Sequence, residues 1–86
     1  MMAIALKRLG AGDESVPAQI APDVFDEPID RARLAAYLRT PGHLLLLALE
    51  GNVVVGQCAG VVHRHPDKPT ELYVDEVGTA STHRRQ

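Results

Sequence analysis

The sequence predicts an α+β domain with a mostly antiparallel sheet, in the order strand, helix, helix and then three consecutive strands. Three observations carry this expectation. Residues 43–50 and 52–65 are apolar runs on either side of Glu50-Gly51-Asn52, and Gly-Asn between two such runs signals a tight hairpin. Leu34, Tyr37 and Leu38 fall at helical spacing behind Asp30 and ahead of Thr40-Pro41-Gly42. Finally, the strand candidates follow one another instead of alternating with helices, which separates this class from a parallel α/β fold.

Residues 3–9 form a short apolar stretch that runs into Gly10-Ala11-Gly12, read as a first strand and a turn. A first helix is expected next, capped by Asp13 or Ser15, with Val16, Ile20 and Val24 on one face and an end near Pro22. Pro17 is tolerated there because it falls in the first turn. The second helix spans residues 31–39, with Asp30 as its cap. Along the strand that follows the hairpin, Val53, Val55, Gln57, Ala59, Val61 and His63 share one face, and the intervening residues take the other. Gly51, Gly56 and Gly60 imply bending or close backbone approach, Pro66-Asp67-Lys68-Pro69 reads as a solvated loop, and residues 71–79 return as a strand.

Composition narrows the functional classes. The 86 residues amount to one small domain, and a domain of this size buries only about 60 to 65% of its unfolded surface. With Phe25, Tyr37 and Tyr73 as its aromatic residues, the core must be aliphatic. A net charge of −2 and basic residues scattered except at the C-terminus argue against general nucleic-acid binding. The lone Cys58 cannot form an internal disulfide, and the apolar start of the chain lacks the length and flanks of a signal peptide. A membrane span needs roughly 18 to 20 apolar residues, far more than 44–49 supply, so a cytoplasmic protein is expected.

The most informative segment is Glu71-Leu72-Tyr73-Val74-Asp75-Glu76-Val77-Gly78-Thr79, followed by Ala80-Ser81-Thr82-His83-Arg84-Arg85-Gln86. It resembles the GNAT superfamily of acetyl-CoA-dependent N-acetyltransferases, particularly the aminoglycoside 3-N-acetyltransferase-like members. In that family a strand with a hydrophobic-small-Val segment leads by a short turn into Gln/Arg-x-x-Gly-x-Gly/Ala at a helix start. Arg84-Arg85-Gln86 matches the first three positions, and neither glycine is present. The preceding elements look like the family's N-terminal half, so the resemblance covers essentially all of residues 1–86 as a single partial domain that lacks the phosphate-loop helix and later strands.

The resemblance implies an N-acetyltransferase acting on a small-molecule amine, aminoglycoside-like in these members, with acetyl-CoA as co-substrate. By similarity Glu76 takes the position of the catalytic base, while Asp75 is expected on the opposite face by alternation. Val77, Gly78 and Thr79 match the segment whose main chain grips pantetheine and polarises the thioester carbonyl through a bulge. Thr79 stands where Val is usual in the family, and Ser81 where Pro is frequent. Arg84, Arg85 and Gln86 would open the anion nest for the pyrophosphate. Each feature also has a plainer reading: a solvated acidic stretch, a strand irregularity at Gly78 and a solvated basic tail. Because the nest is incomplete, the 86 residues alone are expected to be inactive.

The alternative class is a non-enzymatic half-domain that self-associates or binds a partner. The strand 71–79 would leave an unpaired edge and an uncovered apolar face, so a homo-oligomer, or a complex with the missing C-terminal half, is expected. His63 and His65 share a strand face and with His43 or His83 offer a third, weaker class, a metal-binding module, but the four lack standard zinc spacing and read as surface histidines, with no metal expected. Cys58 reads as a small buried side chain. The acidic residues Asp23, Asp26, Glu27 and Asp30 are a solvated surface that could also attract a polycationic acceptor.

Overall fold

A computed structural model describes residues 3–83. The elements in chain order are β1 (Ile4–Arg8), β2 (Gln19–Ile20), α1 (Arg31–Arg39), β3 (His43–Glu50), β4 (Val53–His63) and β5 (Glu71–Thr79), closed by a 3-10 turn at Ser81–His83. Among the described residues they build one five-stranded sheet with a single α-helix on it. β3 lies between β1 and β4 and is antiparallel to both. The remaining edge of β4 is shared: β2 pairs with its first residues in parallel, and β5 runs antiparallel along Gly56 to His63.

The predicted hairpin is present. Gly51 adopts φ +61°, the left-handed value such a turn demands and glycine tolerates. The helix over 31–39 is also present and has both of its ends satisfied. Asp30 accepts a hydrogen bond from the Ala32 amide (3.2 Å), and the Thr40 hydroxyl donates to the Ala36 carbonyl (2.7 Å). Leu34 and Leu38 point from this helix onto Leu45 and Leu47 of β3, and with Leu9, Val24, Val54 and Ala59 they form the core. Tyr37 packs at its border, edge-on to His43 at 4.9 Å.

The first predicted helix is absent. Residues 11–18 instead form successive turns, and Gln19–Ile20 joins the sheet as β2. Asp13 caps a turn rather than a helix: its carboxylate accepts from the amide of Gly10 (2.9 Å), which precedes it. Pro17 removes a donor and biases Val16 away from helical backbone, and Pro22 does the same to Ala21. Ile20 gains more by burying itself beside β4, with the Ala21 amide donating to the Val54 carbonyl at 2.9 Å. Three apolar residues at helical spacing could not outweigh those local penalties.

The two faces of the sheet differ. One is covered by α1 and the 21–29 segment, whereas the other displays Leu6 (77% exposed), Val77 (68%), Leu72 and Val74 to solvent. No helix among the described residues is long and apolar enough to cross a membrane.

Candidate functional site

β5 carries the residues of interest, and a bulge sets their direction. Ala59 pairs with Glu76 and Gly60 with Val74, leaving Asp75 as the extra residue of β5. A bulge re-aims the side chains beside it. Asp75 and Glu76 therefore do not take opposite faces as simple alternation predicts. Both line one cleft, and the charges of both act on Tyr37. Val77, Gly78 and Thr79 pair regularly with Cys58, Gln57 and Gly56, so the irregularity of the β4–β5 ladder lies at Asp75. On the side of β5 away from β4, no strand pairs with it among the described residues.

The 21–26 segment crosses over the covered face at the end of β5. Its path brings the main chain of Val24 against Gly78, so closely that a Cβ on Gly78 would stand 1.8 Å from the Val24 carbonyl oxygen. Gln57, buried opposite Gly78, donates from Nε2 to that same carbonyl at 3.4 Å. Next to it, Asp23 holds a left-handed backbone, φ +72°, uncommon outside glycine. These contacts hold Asp23 and Asp26 across from Asp75 and Glu76, with the main chain of Val77 to Thr79 between them, in a cleft of about 510 Å³.

Glu76 also walls a second cavity, of about 300 Å³, beneath α1. Its carboxylate is half-buried and has no hydrogen-bond or ion-pair partner among the described residues, which leaves it able to accept a proton or an ammonium group. A further cavity of about 550 Å³, between residues 14 and 31, shares Asp23 and Asp26 with the cleft and Phe25 and Ile29 with the second cavity, but includes no residue of β5.

Tyr37 links the helix to the bulge. Its hydroxyl donates to the carbonyls of Leu44 (2.8 Å) and Gly60 (3.3 Å), the pair facing each other across β3 and β4. Burial raises its pKa above the ordinary value, and the nearby charge of Asp75 raises it further. The folded state thus holds the phenolic proton more tightly than the unfolded chain does. Stability from this source is fully present below a pH of about 10 and is lost as pH rises through the folded-state value. Tyr37→Phe is expected to cost about 1 kcal/mol at neutral pH and to remove part of the alkaline loss. Urea midpoints between pH 7 and 11 check this, and identical alkaline slopes in both proteins would count against it.

Glu76, Val77, Gly78 and Thr79 are consecutive on β5, and all four line the acidic cleft. Arg84, Arg85 and Gln86 lie outside the described residues. Asp23 and Asp26 line the cleft, whereas Glu27 and Asp30 border the second cavity. Tyr37, Gln57 and Phe25 were not identified as site residues. A polar Gln57 in an apolar strand was the one available signal for its buried role. His63 stacks on His65 (4.6 Å), His65 bonds Glu71 (2.7 Å) and His83 bonds Glu50 (3.0 Å). No group of three or more possible metal ligands comes together among the described residues.

No protein-family model matches the chain. No curated protein sequence matches it either. Solved structures do match in fold. An aminoglycoside acetyltransferase, meta-AAC0020, from an uncultured soil metagenomic sample and in complex with trehalose, superposes with a TM-score of 0.76 at 17% identity, covering 96% of this chain and 60% of that one. The aminoglycoside acetyltransferase HMB0005, also from an uncultured soil metagenomic sample, gives 0.74 at 21% identity over 99% and 63%. The complex of meta-AAC0020 with sisomicin gives 0.71 at 20% identity over 96% and 60%. The chain therefore has the fold of part of an acetyltransferase domain and spans about 60% of the length of these structures.

Proposed function

We propose that residues 1–86 belong to an acetyl-CoA-dependent N-acetyltransferase domain of the GNAT type, acting in the cytoplasm on a small-molecule amine. The observation that carries this reading is the unpartnered, half-buried Glu76 on a bulged strand, in a fold shared with acetyltransferases. Acetyl-CoA supplies the acetyl group as a thioester, and the main chain of Val77, Gly78 and Thr79 on the open side of β5 is suited to lie along its pantetheine arm. Glu76 accepts a proton from the substrate ammonium, directly or through water, and so releases the nucleophilic amine. Main-chain N–H groups of β5 stabilise the charge that develops on the carbonyl oxygen. A new C–N bond replaces the C–S bond, and the departing thiolate takes up a proton. Asp23, Asp26 and Asp75 give the cleft a negative field that suits an aminoglycoside-like polycation.

In this reading the pyrophosphate nest begun by Arg84, Arg85 and Gln86 needs further backbone to be completed. The 86 residues alone are expected to bind acetyl-CoA very weakly and to turn over no substrate. Calorimetry giving a micromolar affinity would overturn that expectation.

The exposed apolar side of the sheet favours a second reading, a non-enzymatic half-domain that self-associates or binds a partner along β5. Under either reading the surface needs a cover, either a second copy or a segment completing the domain. Light scattering at high concentration is expected to show an oligomer of the isolated chain, and a clean monomer counts against this association.

A further inference from the structure

Glu76 stands between two cavities of opposite character. In the cleft the other carboxylates, Asp23, Asp26 and Asp75, are exposed and already solvated. The chamber beneath α1 is different: its walls include Phe25, Ile29, Leu34, Tyr37 and Leu45, with Leu34 and Leu45 nearly buried. At its rim Asp30 and Arg33 pair with each other at 3.4 Å, and Glu27 is exposed. On the sheet side the one charged group is Glu76.

We infer that this chamber receives the apolar body of the acceptor, so that the favoured acceptor is an amphipathic primary amine: one ammonium group on a compact aromatic or aliphatic body. The proposal rests on the acetyl-transfer reading for the fate of the amine and replaces its aminoglycoside-like acceptor with a smaller, less polar one, but occupancy of the chamber does not depend on it. Three physical points support this chemistry. Apolar walls favour a ligand surface that leaves water, while a charge-assisted bond from the ammonium to Glu76 fixes its orientation. The Tyr37 hydroxyl is already committed to the Leu44 and Gly60 carbonyls, so the walls offer little to a sugar-like ring, whose hydroxyls would lose their water partners there. The space that Glu76 borders is about 300 Å³, at the lower end for ligand cavities, and suits one ring with a short chain.

The test is an NMR titration of the 86-residue chain with 2-phenylethylamine, ethylamine, 2-phenylethanol and sisomicin. 2-Phenylethylamine is expected to shift the amides of Phe25, Leu34, Ala59 and Glu76. It should bind at least about tenfold more tightly than ethylamine, which lacks the ring, and than 2-phenylethanol, which lacks the charge. Glu76→Gln should remove the difference between the phenyl amine and the phenyl alcohol, and Phe25→Ala should weaken both. Asp67→Asn, in the exposed 66–69 loop and lining neither cavity, should leave both affinities unchanged. The wild-type comparison of amine with alcohol decides the matter even if a variant fails to fold. No saturable shift with 2-phenylethylamine, or equal binding of amine and alcohol, overturns the proposal. If sisomicin alone binds, and is acetylated once a polypeptide supplies the rest of the cofactor site, the acetyl-transfer reading stands and this one falls. If 2-phenylethylamine fills the chamber but that completed polypeptide transfers no acetyl group, the reverse holds.

Discussion

Gly78→Ala is expected to destabilise the protein by about 3 kcal/mol or more, a large part of the roughly 5 to 15 kcal/mol available to a small domain. The reason is steric. A Cβ at this position would lie 1.8 Å from the carbonyl oxygen of Val24 and 2.8 Å from its carbonyl carbon, and both are main-chain atoms that cannot rotate away. Val24 cannot readily retreat either, because its own side chain is only 1% exposed within the core. Relief requires lifting the 21–26 segment from β5, which also breaks the Gln57 hydrogen bond and opens the acidic cleft. Gly56→Ala is the control: its Cβ would meet the Ala48 side chain at 3.4 Å and the Gly78 carbonyl at 3.5 Å, ordinary contact distances, so its cost should be much smaller. Urea denaturation of the two variants makes the comparison. A Gly78→Ala protein within about 1 kcal/mol of wild type would mean that the main chain of Val24 does not cross there.

Glu76→Gln is expected to lower kcat for acetyl transfer by about 10²- to 10⁴-fold, the usual range for loss of a general base. The assay belongs in a polypeptide that supplies the rest of the cofactor site, whether fused or as a separate chain. The substitution keeps the shape of the side chain and its place opposite Ala59, while removing its ability to take up a proton. Asp75→Asn should have a much smaller effect, because that carboxylate sits at the bulge and is exposed. Thermal melts of both variants should stay close to wild type, since neither carboxylate makes a hydrogen bond or ion pair among the described residues. If Glu76→Gln retained nearly full kcat across neutral pH, another group would have to accept the proton, and Asp75 would be the first to examine.

Local rules were sufficient wherever one short stretch decided the outcome. Asp30 and Thr40 bracket a helix whose Leu34 and Leu38 find the sheet, and Gly51 turns a hairpin between two apolar runs. They misread residues 13–22 because Val16, Ile20 and Val24 satisfy helical spacing, yet prolines and an edge of β4 offered that segment a better partner than itself. Strand alternation likewise separated Asp75 from Glu76, since no local signal showed that a residue would be extruded opposite Gly60. Gln57 stood out in its strand as polar, but its role needs Val24, remote in sequence and reached through the crossing segment.

The amino-acid sequence by itself therefore determined the α+β class, the capped helix, the β3–β4 hairpin and the strand bearing Glu76, because each follows from propensities and periodicity within a few residues. Only the tertiary structure decided which carboxylates share a cleft, why Gly78 must lack a side chain and that Glu76 faces an apolar chamber as well. Those outcomes depend on strand register and on a segment crossing from far along the chain, and a single bulged residue changes the direction of every side chain around it.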